Sequence, residues 1–190
     1  MFERFNAEAR DTMRKAYEQA REVRSPLVGT EHLLLVLAGA PTATGQELRT
    51  RDITPEAVQA ALTRRQARDS LASRAADLFT AEDAAALRTV GVDLDEVLDR
   101  LQDLYGDAEP PADPGRTRHP GWRFSPHARK ALQVALREAL RLRTKQITPE
   151  HLLLGMLRAG DGLAVRILDD LDIDRTELTD GLERSARSAA

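Results

Sequence analysis

The pentapeptide Glu31-His32-Leu33-Leu34-Leu35 returns unchanged as Glu150-His151-Leu152-Leu153-Leu154, 119 residues further along the chain. The same shift sets Phe5 on Phe124, Ala9-Arg10 on Ala128-Arg129, Ala16 on Ala135 and Ala20 on Ala139 without a gap. Two unrelated amphipathic helices do not share apolar spacing and an identical five-residue word in one register, so the chain contains one unit twice. This duplication constrains the fold more tightly than composition does.

Each copy opens with an amphipathic helix. Phe5, Ala9, Met13, Ala16, Ala20 and Val23 recur at intervals of three and four, and Ala128, Leu132, Ala135, Leu136, Ala139 and Leu140 repeat the pattern. Ser125 as N-cap and Pro126 as first helical residue mark the second start. Alanine on a buried stripe lets a neighbouring helix approach closely. The next element, Glu31 to Ala38 or Glu150 to Arg158, is apolar nearly all round and is expected at the centre of each copy. A third helix is predicted at Gly162 to Leu171, with a short or irregular counterpart near Thr44 to Arg51. A fourth starts at Thr54-Pro55-Glu56 and near Arg175.

The expected fold class is therefore all-α, two pseudo-symmetric four-helix repeats at 1–65 and 122–187, packed together as one domain. Between them lies an acidic helical insertion at 66–107, with helices at Ala81 to Leu87 and Asp93 to Tyr105, and a proline- and glycine-rich linker at 108–121. Charge follows the same division: 10 basic against 9 acidic residues in 1–65, 6 against 12 in 66–118, and 12 against 10 in 119–190.

With 42% hydrophobic and 31% charged residues the chain can bury a core. It has no cysteine, which excludes disulfides, thiolate nucleophiles and cysteine metal sites. No apolar leader opens it and no stretch approaches the roughly 18 apolar residues of a membrane span, so it reads as a complete cytoplasmic chain with no membrane partner.

These residues resemble the Clp N-terminal domain family, the paired four-helix repeats at the front of Clp ATPases of the ClpC and ClpA kind. The resemblance rests on Met1-Phe2-Glu3-Arg4-Phe5, on Gly29-Thr30-Glu31-His32-Leu33-Leu34-Leu35, and on Phe124-Ser125-Pro126-His127-Ala128-Arg129-Lys130 through Arg137-Glu138-Ala139-Leu140. It covers both copies. The departures are the acidic insertion, where the family has a short linker, and Thr148-Pro149, where it has Gly-Thr. None of the 11 glycines opens a G-x-x-x-x-G-K-[ST] phosphate loop, so the resemblance implies the recognition end of such a machine without its motor.

The resemblance implies that Glu31 and Glu150, with Thr30, bind phosphorylated arginine on marked client proteins. A carboxylate can accept a guanidinium through two parallel hydrogen bonds while helix N–H groups and an arginine neutralise the phosphate. The same residues also read as helix starts, since Thr54-Pro55-Glu56 begins a helix with no such role and a first-turn glutamate gains about 0.3–1 kcal/mol from the helix dipole. The resemblance further implies a surface for cyclic peptide antibiotics such as cyclomarin at Phe2, Arg10, Phe124, Arg129 and Gln133. The family has lysine where Arg129 stands and glutamate where Gln133 stands. Phe124 in the core and the arginines on a solvated face are the structural alternative.

His32 and His151 diverge from their glutamates by about 100° around a helix, which makes poor chelating pairs, and neither an H-E-x-x-H nor a G-x-S-x-G motif is present. No metal, cofactor or catalysis is expected. Arg123, Arg129, Lys130, Arg137, Arg141, Arg143 and Lys145 face Glu138 alone, but the run lacks stacking aromatics and reads as a solvated face ahead of a nucleic-acid surface. The sequence thus predicts a module that binds client proteins, peptides, adaptors of a Clp ATPase–protease complex, or cyclic peptide antibiotics, as an adaptor or a decoy. A DNA-associated regulator is the alternative.

Overall fold

The computed structural model describes residues 4–78 and 123–188, with side chains for 4–68 and 123–187. The chain divides into two compact units, Met1–Gln59 with Pro111–Ala190, and Ala60–Pro110. Among the described residues there are eight helices: α1 Ala7–Glu22, α2 Thr30–Gly39, α3 Ala43–Arg49, α4 Pro55–Leu78, α5 Pro126–Arg141, α6 Pro149–Ala159, α7 Leu163–Asp170 and α8 Arg175–Ser188. The architecture is all-α with four helices per copy. The boundary expected at residue 65 falls inside α4. The helices expected at 81–87 and 93–105 and the linker at 108–121 lie outside the described residues.

Local chemistry sets the helix ends. Asn6 caps α1 by accepting the Ala9 N–H at 2.8 Å, and Ser125 caps α5 by accepting that of Ala128 at 3.1 Å, with Pro126 in the first turn. Each copy leaves its first and third helices through a non-glycine residue of positive φ, Arg24 and Asp52 in the first, Arg143 and Asp172 in the second. The irregular exits were therefore duplicated along with the helices.

The central helices carry the core. Leu33, Leu34 and Leu37 of α2 and Leu152, Leu153, Leu154 and Met156 of α6 are buried, each such side chain contributing about 1.5–3 kcal/mol of burial energy. In α1 and α5 the apolar stripe is buried at Ala9, Met13, Ala16, Ala20, Ala128, Leu132, Ala135 and Ala139. Val23 and Leu140, expected on that stripe, are exposed at 60% and 59%. Val23 lies past the last turn of α1, as its C-cap. Leu140 occupies the position of Arg21 in the duplication, one step round from buried Ala139, so three-and-four spacing alone misassigned both.

The copies are interleaved. The segment before α1 pairs in parallel with the segment before α6 at Phe5 and Ile147, and the segment before α2 pairs with that before α5 at Val28 and Phe124. Asn6 N–H donates to the Ile147 carbonyl at 2.9 Å and Ile147 N–H to that of Arg4 at 2.7 Å. Val28 N–H donates to Arg123 at 2.7 Å, and Ser125 N–H to Val28 at 3.0 Å. Phe5 and Phe124 are duplicates, as are Val28 and Ile147, so each junction joins unlike ends of two like units, the pattern of a two-fold axis.

Candidate functional site

Each junction gathers two helix N-termini from different copies. At one, the start of α2 with Thr30 and Glu31 adjoins the start of α5 with Phe124 and Ser125. At the other, the start of α6 with Pro149 and Glu150 adjoins Phe5 and Asn6 before α1. Glu31 and Glu150 thus both sit at an end where backbone N–H groups and the positive end of the helix dipole face outward.

The histidines are structural. His151 is fully buried; its Nδ1 accepts the Thr148 N–H at 3.1 Å and the Thr148 hydroxyl at 2.8 Å, leaving Nε2 to donate to Thr144 Oγ1 at 3.3 Å. Burial holds its pKa below the ordinary 6.5, against the opposing pull of Glu150 and Glu138. The folded state therefore favours the neutral ring, so His151 contributes stability that is complete above the unfolded pKa and declines as pH falls below 6.5. The urea midpoint is expected to drop between about pH 7 and pH 5, ahead of most carboxylates, and the drop to shrink in His151→Gln. An unchanged pH profile in that variant would refute the assignment.

His32 makes the same contact in the first copy, where its Nδ1 accepts the Gly29 N–H at 3.0 Å. Glu31 Oε1 lies 2.8 Å from the same nitrogen. Glu31 therefore has His32 as its nearest polar neighbour, at ion-pair distance. Its carboxylate lies over Gly29, where a Cβ would strike both oxygens.

Glu150 is more enclosed. The residue is only 5% exposed, yet its carboxyl oxygens are not among the buried side-chain atoms that lack a partner, so the carboxylate reaches solvent, and its charge acts on the neighbouring His151. Glu56, the glutamate of the other Thr-Pro-Glu, behaves differently: its pKa is lowered because its exposed carboxylate accepts its own backbone N–H and then the Thr54 hydroxyl. Thr-Pro-Glu thus yields a self-satisfied helix start at Glu56 and a carboxylate without that local pairing at Glu150, while Glu31, in Gly-Thr-Glu, lies against His32.

Thr30 is 1% exposed and its hydroxyl is engaged across the copies, accepting the Ala164 N–H of α7 at 3.1 Å. That helix has Gly162 as N-cap and no side chain of its own to cap it, whereas α3 is capped locally by Thr42, which accepts the Gly45 N–H at 3.2 Å. Pro149 stands in the place of Thr30 in the second copy and offers no hydroxyl.

Of the second group of predicted site residues, Phe2 lies outside the described residues. Phe124 is half-buried and paired through its backbone with Val28, three residues before Glu31; Arg129 and Gln133 follow on the exposed side of α5, one turn apart. Arg10 is exposed in α1, which starts from the other junction. Two residues of the basic run, Lys130 and Arg141, are engaged within the protein. Lys130 Nζ donates to Asp161 at 2.8 Å, while Arg141 reaches Glu138 at 2.8 Å and Glu183 at 2.5 Å. Arg158 Nε lies 3.2 Å from Glu138, which ties α5, α6 and α8 into one network. No group of three or more metal-ligating side chains occurs among the described residues, and no described helix is long and apolar enough to cross a membrane.

These features define a class: a tandem-repeat, all-helical module whose copies exchange their helix entrances and present paired N-termini. The second copy carries the Clp N-terminal repeat, and the chain as a whole is similar to Clp N-terminal domains. Residues 123–189 match the family model of the Clp repeat (R) N-terminal domain. The chain is 28% identical over 183 residues to the ATP-dependent Clp protease ATP-binding subunit ClpA homolog of Guillardia theta, covering 94% of this chain and 16% of that protein. It is 27% identical to the chloroplastic chaperone protein ClpC1 of Arabidopsis thaliana, covering 94% of this chain and 14% of that protein. The crystal structure of the N-terminal domain of the chaperone ClpD from Arabidopsis thaliana shares its fold, with a TM-score of 0.55, 18% identity and coverage of 97% of this chain and 96% of that one. The chain spans about one sixth of the length of these full-length relatives, and its 190 residues contain no phosphate-loop motif.

Proposed function

We propose that this chain is a Clp-associated recognition module that binds client proteins, peptides or adaptors at its two helix-entrance junctions and does not process them. The observation that carries this reading is the pair of glutamates at equivalent helix N-termini, each beside a histidine and neither paired with an arginine or lysine among the described residues. A guanidinium can pair with each carboxylate, and the N–H groups beside them suit a phosphate on that guanidinium, so phosphoarginine is the ligand that fits the chemistry best. Thr30 supports the first site by holding α7 in place. Phe124, Arg129 and Gln133, with Phe2 and Arg10, offer an anchor and donor set for a cyclic peptide antibiotic of the cyclomarin kind.

Calorimetric titration tests this. A phosphoarginine peptide is expected to release heat, and Glu31→Ala and Glu150→Ala are each expected to weaken binding about tenfold or more, the loss of one charge-assisted pair. Cyclomarin binding should weaken in Phe124→Ala. Absence of heat with both ligands, or equal binding of the unphosphorylated peptide, refutes the specific form. Adaptor and decoy then separate by function: an adaptor speeds client degradation by a Clp ATPase–protease complex, and a decoy protects that complex from the antibiotic.

A further inference from the structure

The two helix-entrance junctions are duplicates in position but not in chemistry. At the first, α2 opens with Thr30, Glu31 and His32; at the second, α6 opens with Pro149, Glu150 and His151. The N–H group just ahead of each helix is taken by its histidine, at Gly29 and at Thr148. The next three residues have no carbonyl within their own helix to donate to, so α2 turns three N–H groups outward. Proline has none, so α6 turns out only two, and the missing one is the neighbour of the glutamate.

The flanking residues differ in the same sense. A Cβ on Gly162 would lie 2.9 Å from Thr30 Oγ1 and 3.2 Å from His127 Cβ, which puts His127 beside Thr30 at the first junction. The duplicate of His127 is Glu8 of α1, the helix that starts from the second junction, and Glu8 lines one groove with Thr42, the counterpart of Gly162. The first junction thus has one carboxylate and three N–H groups, and the second has an added carboxylate and one N–H fewer.

Packing does not account for the proline. α6 is one residue longer than α2, so past it the register of the duplication advances by one residue, as the positive-φ residues Asp52 and Asp172 show. Thr44 is then the counterpart of Ala164, whose N–H the Thr30 hydroxyl accepts. Because α3 packs against α6 as α7 does against α2, the same two-fold relation turns Thr44 toward Pro149. Thr44 is fully buried and its hydroxyl has no hydrogen-bond partner. Such a group is destabilising, and a threonine at position 149 would offer it a partner where proline offers none.

We propose that the two junctions divide the recognition of arginine. The Glu31 junction holds both the guanidinium and the phosphate of phosphoarginine, whereas the Glu150 junction holds the guanidinium alone and accepts arginine with or without phosphate. Pro149 sets the difference. This division rests on the arginine reading of both junctions and adds to it a separate specificity for each.

Amide chemical shifts of the intact chain, titrated with a phosphoarginine peptide and with the same peptide unphosphorylated, read the junctions one by one. Thr30, Glu31 and His32 report the first, Glu150 and His151 the second. Phosphate is expected to tighten binding about tenfold or more at the first set and less than about threefold at the second. Pro149→Ala and Pro149→Thr both return the N–H and are expected to raise the second junction's preference for phosphate to about tenfold, and Glu8→Gln is expected to raise it about twofold. An equal or greater phosphate preference at the second set in the parent, or an unchanged preference in folded Pro149 variants, overturns the division and leaves the arginine reading in place. No saturable shift at either set with either peptide overturns both. The parent comparison decides the question even where a Pro149 variant does not fold.

Discussion

Phe5→Ala is expected to destabilise the protein by about 3–5 kcal/mol, the cost of removing a buried aromatic ring and leaving its cavity. Phe5 is 2% exposed and carries the bridge to Ile147, so the cavity would open at the junction where the first copy's chain is hydrogen-bonded into the second. For a domain of this size the midpoint of thermal unfolding should fall by about 8–15 °C. Its duplicate Phe124 is only half-buried, and Phe124→Ala should cost clearly less. Equal losses in the two variants, or a shift of only a degree or two in Phe5→Ala, would show that the junction contributes little to stability.

Gly155→Val should cost about 3 kcal/mol through overpacking, since the glycine faces the backbone of α5 rather than a side chain that could turn aside. A Cβ there meets the Ala131 carbonyl oxygen and, at 2.8 Å, the Ala135 nitrogen. The two helices must separate, and the Lys130–Asp161 pair should loosen with them. Calorimetry or urea unfolding reads the first effect; altered amide shifts at Asp161 and Gly162 read the second. The reverse change at the equivalent position of the first copy, Val36→Gly, should cost only about 1 kcal/mol, mainly the helix penalty of glycine, because it removes a half-buried side chain. A Gly155→Val protein as stable as the parent would refute the close approach.

Several features of the site were legible along the chain. The two Glu-His positions, the caps at Ser125 and Thr54, the apolar central helices and the short third helix of the first copy all depend on residues within a few positions of one another. The Thr-Pro-Glu at Thr54 shows along the chain that such a glutamate can simply start a helix, as Glu56 does. Sequence could not distinguish that case from Glu31 and Glu150, because the difference lies in what else reaches each carboxyl group. Glu56 is satisfied by its own N–H and Thr54. Glu150 is a largely buried residue whose charge acts on His151. Val23 and Leu140 show the same boundary from the other side: both satisfy helical spacing, yet a helix end and a neighbour's position left them in solvent.

Sequence alone determined that one four-helix unit occurs twice, where most of its helices start and stop, and most of the residues on each apolar face. Those properties follow from periodicity and capping, which act within a turn or two. Only the tertiary structure decided that the copies exchange their helix entrances, that Thr30 caps a helix 134 residues away, and that Gly155 lets α6 meet the backbone of α5. Each of these rests on contacts between segments remote in sequence, whose geometry is set by how closely two backbones can approach.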